Sequence, residues 1–379
     1  MRLLRAGLVT GEALPEGGSS AVPASGPGHP LLRMRRSAGF AVAAVGLVMA
    51  IAFPLVFDNP AMTSIGIFTM IFVCAASAWN MFSGLSGYIA LGNTVFFGVG
   101  AYAIAIAAQH LHLRADDSVF LLVPVAGLVA GVFALPFGWL ALRTRRHTFV
   151  VITIAFFFIF QLLAYNLAGL TQGAAGMSLP VPQWDPVSYN AHFYYAALIV
   201  AVATVICAWL IHISRFGLEL RTIKDDEDRA RGLGVLTDRV KMRAFVVSGI
   251  FTGFAGGVYA YFVGSIYPPD VFVANFDVTI AIMSFLGGLG TISGPVVGAL
   301  LLEPLQQYFT LRFSANGIYL IAYGVLFLII IRFLPAGIVP TVGRGVRAYL
   351  RHRAGRRPET LPSAITPRDQ SGSLPHSRS

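Results

Sequence analysis

Phe120-Leu-Leu-Val-Pro-Val-Ala-Gly-Leu-Val-Ala-Gly-Val-Phe-Ala-Leu-Pro-Phe-Gly-Trp-Leu-Ala-Leu142 carries no charged side chain, and Arg143, Arg145 and Arg146 follow it at once. About 20 such residues, rising 1.5 Å each as a helix, cross the roughly 30 Å of hydrocarbon in a bilayer. Lipid offers backbone groups no hydrogen bonds, so an apolar run of this length reads as a transmembrane helix. Working outward, apolar segments recur at Phe40–Phe57, Ser64–Phe82, Thr94–Ala108, Thr148–Leu167, Phe193–His212, Ala244–Val263, Val278–Leu289, Pro295–Phe309 and Gly317–Ile331. Charged residues make up 12% of the chain, against roughly 25% in a soluble domain. The expected fold class is an all-α polytopic membrane protein of about ten transmembrane helices, some short or broken, with disordered polar tails.

Basic residues set the topology, because Lys and Arg are held on the cytoplasmic side. Arg2 and Arg5, the cluster Arg33/Arg35/Arg36, the cluster Arg143/Arg145/Arg146, the loop Arg215–Arg243 and everything from Arg332 onward hold 25 of the 27 Lys and Arg. Arg114 and Arg312 are left on the other side. Placing both termini inside requires an odd number of crossings between about Pro268 and Arg332. Two short helices around a turn within Val278–Phe309 meet that condition, as does a re-entrant segment, whereas one straight span does not. The domain reading is a disordered cytoplasmic tail over 1–36, a transmembrane domain over 37–340 with a cytoplasmic loop at 214–243, and a disordered basic tail over 341–379. Met1–Pro30 lacks the apolar core of a signal peptide. Such a distribution of charge assigns the basic residues to membrane topology and not to nucleic acid. Cys74 and Cys207 lie in apolar stretches without metal or redox spacing and read as packing residues.

Three segments interrupt the apolar pattern. Gly84–Tyr102 holds glycines at 84, 87, 92, 98 and 100, which let helices approach closely or break to expose backbone along a path. Gly287-Gly-Leu-Gly-Thr-Ile-Ser-Gly-Pro295 places Gly287, Gly288, Gly290 and Gly294 ahead of a proline and predicts a turn or re-entrant bend. Ser214–Arg243 is the longest internal polar loop. Within it Leu218–Leu233 is helix-compatible, with Gly232 and Gly234 at its end and apolar points at Leu220, Ile223, Ala230 and Leu233. Both a docking helix for a soluble partner and a solvated connector fit that pattern.

Enzymatic readings find little support. Asp225-Asp-Glu-Asp228 departs from a diphosphate-binding DDxxD because position 229 is arginine, and no zinc-protease or nucleophile-elbow motif occurs. A phosphate-cradling G-x-x-x-x-G-K-[ST] is also missing, so an ATP-driven process needs an ATPase on another chain. A secondary transporter needs intramembrane charge, and only Glu303 lies well inside a predicted span. No metal site and no cofactor are expected.

These segments carry a resemblance. Gly84–Tyr102, with Phe96-Phe-Gly-Val-Gly-Ala-Tyr102 within it, resembles the glycine-rich signature of permease subunits of branched-chain amino-acid ABC transporters. Ser214-Arg-Phe-Gly-Leu-Glu-Leu-Arg-Thr-Ile-Lys-Asp-Asp-Glu-Asp-Arg-Ala-Arg-Gly-Leu-Gly234 is similar to the family's cytoplasmic loop, and Gly287–Pro295 to its GG-x-G-T-x-x-G-P. Arg143–Phe149 and Thr171–Gly176 fall in the order of the LivM subtype, and the similarity runs from about Phe40 to Pro340. Departures are Asn93 and Thr94 where His or Ala is usual, Leu218 where a basic residue is usual, Thr222 for Ala, and Arg145-Arg-His-Thr. The resemblance implies a binding-protein-dependent importer in the inner membrane. Its partners would be two ABC ATPase subunits, a second homologous permease and a soluble substrate-binding protein, with urea or short amides as alternative substrates. The ATPase-coupling residues it implies are Arg221, Asp225, Glu227, Ala230, Gly232 and Gly234. Asn80, Asn93, Thr94, Gln161 and Asn166 are polar within spans, so each is a candidate for the substrate path or a helix–helix hydrogen bond. Gly84, Gly87, Gly92, Gly287, Gly288, Gly290 and Gly294 are the expected helix breaks.

Overall fold

A computed structural model describes residues 30–57, 59–111, 117–182, 184–313, 324–325, 332 and 337–345. The chain divides into two units, Met1–Phe53 and Pro54–Ser379. The first is represented by most of helix α1 (Pro30–Val56), apolar over Ala41–Val56. The second begins with α2 (Pro60–Trp79), which starts where it does because Asn59 accepts the Ala61 N–H at 3.0 Å and Pro60 occupies the first helical position. There follow α3 (Asn93–His110), α4 (Val123–Ala141), α5 (Arg146–Asn166), the short α6 (Ala168–Thr171) and α7 (Pro186–Ile213). After these come α8 (Arg215–Asp225), α9 (Glu227–Gly232), α10 (Thr237–Val263), the short α11 (Pro268–Val271), α12 (Ala274–Gly287) and α13 (Ser293–Phe313).

Six helices among the described residues are long and apolar enough to cross a membrane: Pro60–Gly84, Ser118–Ala141, Arg146–Asn166, Tyr189–Ile213, Thr237–Val263 and Pro268–Gly287. The chain is therefore a predominantly α-helical, multi-pass membrane protein. Of the ten expected segments, Gly317–Ile331 lies outside the described residues apart from Gly324 and Val325, as do 1–29 and 346–379 of the tails. The stretch from Val278 to Phe309 resolves into two helices, α12 and α13, which run antiparallel. Gly287 packs on Gly294 and Gly298 on Met283, each so closely that a Cβ would lie within 2 Å of the opposing carbonyl oxygen. Such a backbone approach is open only to glycine, and it supplies the dispersion that lipid cannot replace.

α10 packs against α2, α3, α4 and α7. Its small residues explain that position: a Cβ on Gly256 would sit 2.0 Å from the Phe97 oxygen, and one on Gly100 of α3 2.2 Å from the Gly253 oxygen. α4, α5 and α7 turn outward Leu128, Val132, Phe158, Leu162, Ile199 and Leu210, the surface a bilayer requires. Loops gather at two ends. At one, the Met177–Ser178 strand pairs antiparallel with Ser265–Ile266, and Asn190 donates to the Pro60 carbonyl at 3.0 Å. At the other, Gly84, Arg146, Lys224 and Gly290 meet, which puts the Arg143–Arg146 and Arg215–Arg243 clusters together, as the charge pattern predicts.

Candidate functional site

The feature that organises the site is the interruption between α2 and α3. α2 ends in a π-helical turn, Asn80–Gly84, and the chain then runs non-helically from Gly87 to Gly92 before α3 begins. Gly87 takes φ 74°, a left-handed conformation suited to glycine, with Lys224 packed 3.1 Å from where its Cβ would be. Further along, Trp79 donates to the Ala90 carbonyl at 2.7 Å, and the Leu91 N–H donates to Thr153 Oγ1 at 3.2 Å. Thr153 lies seven residues into α5, about 10 Å from its first residue at 1.5 Å per residue. The loop therefore descends from the end holding the basic clusters and delivers the first turn of α3 into the interior of the helix bundle.

Three of the five expected path residues converge there. Thr94 donates its N–H to Asp277 Oδ1 at 3.1 Å; its hydroxyl donates to the Val271 carbonyl and accepts the Val273 N–H, each at 3.1 Å. Asn93 donates to Ser248 Oγ at 3.4 Å, and Gln161 donates to the Phe272 carbonyl at 3.0 Å. Asn80 lies elsewhere: it donates to the Thr291 carbonyl and accepts the Gly290 N–H, both at 2.8 Å, stapling the π turn to the glycine-rich bend. Asn166 donates to Leu162 of its own helix and meets none of the others.

Asp277 corrects the expectation that Glu303 is alone within the spans. α12 starts at Ala274, four residues ahead of the apolar run at Val278, so its first turn carries Asp277 inward. An acidic residue suits the positive end of a helix dipole, and Asp277 faces two such ends, its own and that of α3. It is 2% exposed, and among the described residues its Oδ2 and Asn93 Oδ1 have no hydrogen-bond partner. Glu303 is fully buried and accepts from Gln307 at 2.9 Å.

The polar loop forms two helices where a single one is expected. Asp226 breaks the run and caps α9 by accepting the Arg229 N–H at 3.0 Å. α8 is amphipathic: Leu220 and Ile223 are buried and Leu218 exposed. Ala230 is also buried, so it belongs to the inner face of α9; the outward apolar residues are Leu218, Leu233 and Leu236. Arg221 donates to the His212 carbonyl at 2.7 Å, holding α8 on the end of α7, while Asp225 is exposed. Arg146 donates to the carbonyls of Ile223 and Lys224 at 2.9 and 2.8 Å, meeting the negative end of α8. Of the two closing glycines, Gly234 takes φ 87° and makes the turn, whereas Gly232 lies within α9 facing open space.

Glu227 ties α9 to the descending loop. It accepts from Tyr88 Oη and from Lys241 Nζ, the latter at 2.6 Å with Lys241 2% exposed. Burial pushes the Glu227 carboxyl up, but hydrogen bonds from Lys241 and Tyr88 and the nearby Arg231 charge outweigh it and leave it below the usual carboxylate range. Burial, reinforced by Glu227, raises the Tyr88 hydroxyl, which therefore stays protonated and donates. Lys224 donates to the Gly84 carbonyl at 2.9 Å; burial lowers its ammonium, with Arg146 adding to the effect and Asp225 opposing it.

Comparison with known proteins places this architecture. Over 320 residues the chain is 26% identical to LivM, the high-affinity branched-chain amino acid transport system permease protein of Escherichia coli (strain K12), covering 78% of this chain and 73% of LivM. It is 25% identical over 278 residues to LivH of the same type of system from Salmonella typhimurium, covering 70% of this chain and 89% of LivH. A shorter stretch of 110 residues is 33% identical to the autoinducer 2 import system permease protein LsrC of Yersinia pseudotuberculosis, 27% of this chain and 31% of LsrC. No solved structure matches. Residues 61–331, which hold the interrupted α2–α3 segment, the α8–α9 loop and the α12–α13 bend, match the family described as branched-chain amino acid transport system / permease component, and the chain belongs to that family.

Proposed function

We propose that this protein is the membrane-spanning subunit of an ABC importer that carries branched-chain or related amino acids across the inner membrane. In this reading it works with two ATPase subunits, a second permease and a soluble binding protein. It crosses the membrane about ten times, with both termini in the cytoplasm. The observation that carries the reading is the polar platform of α8 and α9. It exposes Leu218, Leu233 and Leu236 among charges of both signs, while its inner side is fastened to the break between α2 and α3. Exposed leucines on a charged surface outside the bilayer suit a protein partner. The inner fastening gives a partner's movement a route to Asn93 and Thr94.

Reconstitution tests the function. With all partners and ATP, proteoliposomes should concentrate leucine, and the subunit alone should not hydrolyse ATP. Uphill uptake by this chain alone on an ion gradient would replace the proposal with secondary transport. Orientation is tested by single cysteines in intact cells: position 226 should resist an impermeant thiol reagent, and position 181 should react.

A further inference from the structure

The outward faces of the helices differ in kind. Those of α4 and α7 are apolar over their central turns and α5 carries Gln161 partly exposed, while α12 and α13 present Asn275, exposed, and Gln306, partly exposed, among the exposed Val278, Leu300 and Leu301. Amide groups in contact with hydrocarbon are costly, so that face meets water, protein or a polar ligand.

A cavity of about 160 Å³ opens on it. Phe72 of α2, Phe97 of α3 and Phe276 of α12 form an aromatic wall, with ring centroids 5.5 Å apart for Phe72 and Phe276 and 4.5 Å for Phe97 and Phe276. Asp270, Asn275 and Gln306 supply the polar lining. Gln306 Oε1 is buried and, among the described residues, has no hydrogen-bond partner. A buried carbonyl oxygen without a donor costs about 1–3 kcal/mol, which a ligand N–H recovers. Apolar cavities of about 150 Å³ hold a molecule the size of benzene, so the aromatic part accommodates a side chain of four to six carbons.

Resting on the amino-acid importer reading, we infer that this cavity is a transit site for a zwitterionic amino acid with an aliphatic side chain. The side chain lies against Phe72, Phe97 and Phe276. The ammonium group meets the Asp270 carboxylate and Gln306 Oε1. The carboxylate meets the Asn275 amide and the first turn of α12, the positive end of its dipole. Neutral urea and short amides lack both the apolar group that fills the wall and the charges that use Asp270.

The test uses the assembled transporter in proteoliposomes, with leucine and valine delivered by the same binding protein. The Phe72 variants are scored by uptake ratios relative to the parent, leucine to valine or phenylalanine to leucine, which cancels the binding protein's own preference, and Gln306→Leu by uptake itself. Phe72→Trp narrows the cavity and should lower that ratio several-fold, since one methylene in an apolar pocket is worth about tenfold or more. Phe72→Ala should raise phenylalanine uptake relative to leucine. Gln306→Leu should cut uptake of both leucine and valine about tenfold while ATP hydrolysis and membrane insertion persist. Ratios within twofold of the parent in both Phe72 variants, with uptake by Gln306→Leu unchanged, would overturn the cavity assignment alone. A parent complex that concentrates urea and no amino acid would overturn the importer reading itself.

Discussion

Removing the Glu227 carboxylate should weaken the fastening between the α8–α9 platform and the loop that leads into the bundle, by an amount the geometry sets. Lys241 Nζ is 2.6 Å from Glu227 Oε1, and its other acidic neighbour is Asp238, 3.6 Å away and 78% exposed. Deleting one partner of a buried ion pair costs about 3–5 kcal/mol, because the remaining charge stays buried without compensation. Glu227 is itself 18% exposed and Asp238 remains in reach, so Glu227→Ala should sit near 3 kcal/mol. Glu227→Gln keeps an acceptor for Tyr88 and should lose about half as much, and the double variant Glu227→Ala/Lys241→Met should recover most of the loss. The pH dependence has a definite sign. A carboxyl held below its unfolded value of about 4.3 contributes stability that is fully present above that value and lost as pH falls through the folded one. The parent should therefore hold its stability from pH 5 to 8 and lose it below about 4, a limb that Glu227→Ala lacks. Unfolding of detergent-solubilised protein, run as a double-mutant cycle at several pH values, measures both. A double variant no more stable than Glu227→Ala would refute the argument from buried charge.

Five further substitutions probe other links. Gly256→Val pushes a branched side chain into the Phe97 carbonyl, 2.0 Å from its Cβ, and should separate α10 from α3; the loss should exceed the 1–3 kcal/mol typical of an overpacked core and show as failed accumulation in the membrane. Gly234→Val forces a β-branched residue to φ 87° and should reduce coupled uptake with insertion intact, whereas Gly232→Ala should be silent in the same assay because open space faces it. Asp277→Asn keeps an acceptor for the Thr94 N–H and should transport with ATP, while Asp277→Leu strands that donor and should cost about 1–3 kcal/mol; ATP-driven uptake abolished by Asn alone would assign the carboxylate a proton-carrying role.

The sequence made the membrane class legible because it rests on an average, apolar length, that no single contact can overturn, and it grouped the Arg143–Arg146 and Arg215–Arg243 clusters, which the fold brings to one end. Of the expected break glycines, Gly87, Gly92, Gly288 and Gly290 lie in non-helical chain and Gly84 closes the π turn, whereas Gly287 and Gly294 lie within α12 and α13, where close packing and not a break requires glycine. Direction was harder to read. Ala230 is an apolar point in a charged loop by sequence, and only the packing of α9 shows that it faces inward while Leu233 faces out. Hydropathy set the start of α12 at Val278, since an aspartate ends an apolar run; a helix N-terminus tolerates that aspartate, which is why Asp277 was missed. Asn80 and Thr94 look alike as polar residues in apolar segments, yet one staples a turn and the other a helix start, a difference set by partners about 180 to 210 positions away.

The two ends of that staple explain why the interruption after α2 is stable although it leaves helix-terminal groups away from water. A helix start normally leaves its first N–H groups unpaired, and burying one without an acceptor is costly. Here Asp277 Oδ1 accepts the Thr94 N–H, and Thr153 Oγ1 accepts that of Leu91. At the outer part of the loop, Lys224 and Asn80 satisfy Gly84 and Gly290 from the α8 and α2 sides. The partners Asp277, Thr153 and Lys224 come from three different helices, α12, α5 and α8, and Asn80 ties the π turn to the α12–α13 bend, so a shift of this segment against any one of them breaks a bond. The same constraint acts in reverse: displacing α8 and α9 at the bundle's end draws on Gly84 and Tyr88, and through the six non-helical residues Gly87–Gly92 on Asn93 and Thr94. A continuous α2–α3 helix would have satisfied its backbone internally and carried no such connection between the polar platform and the buried carboxylate.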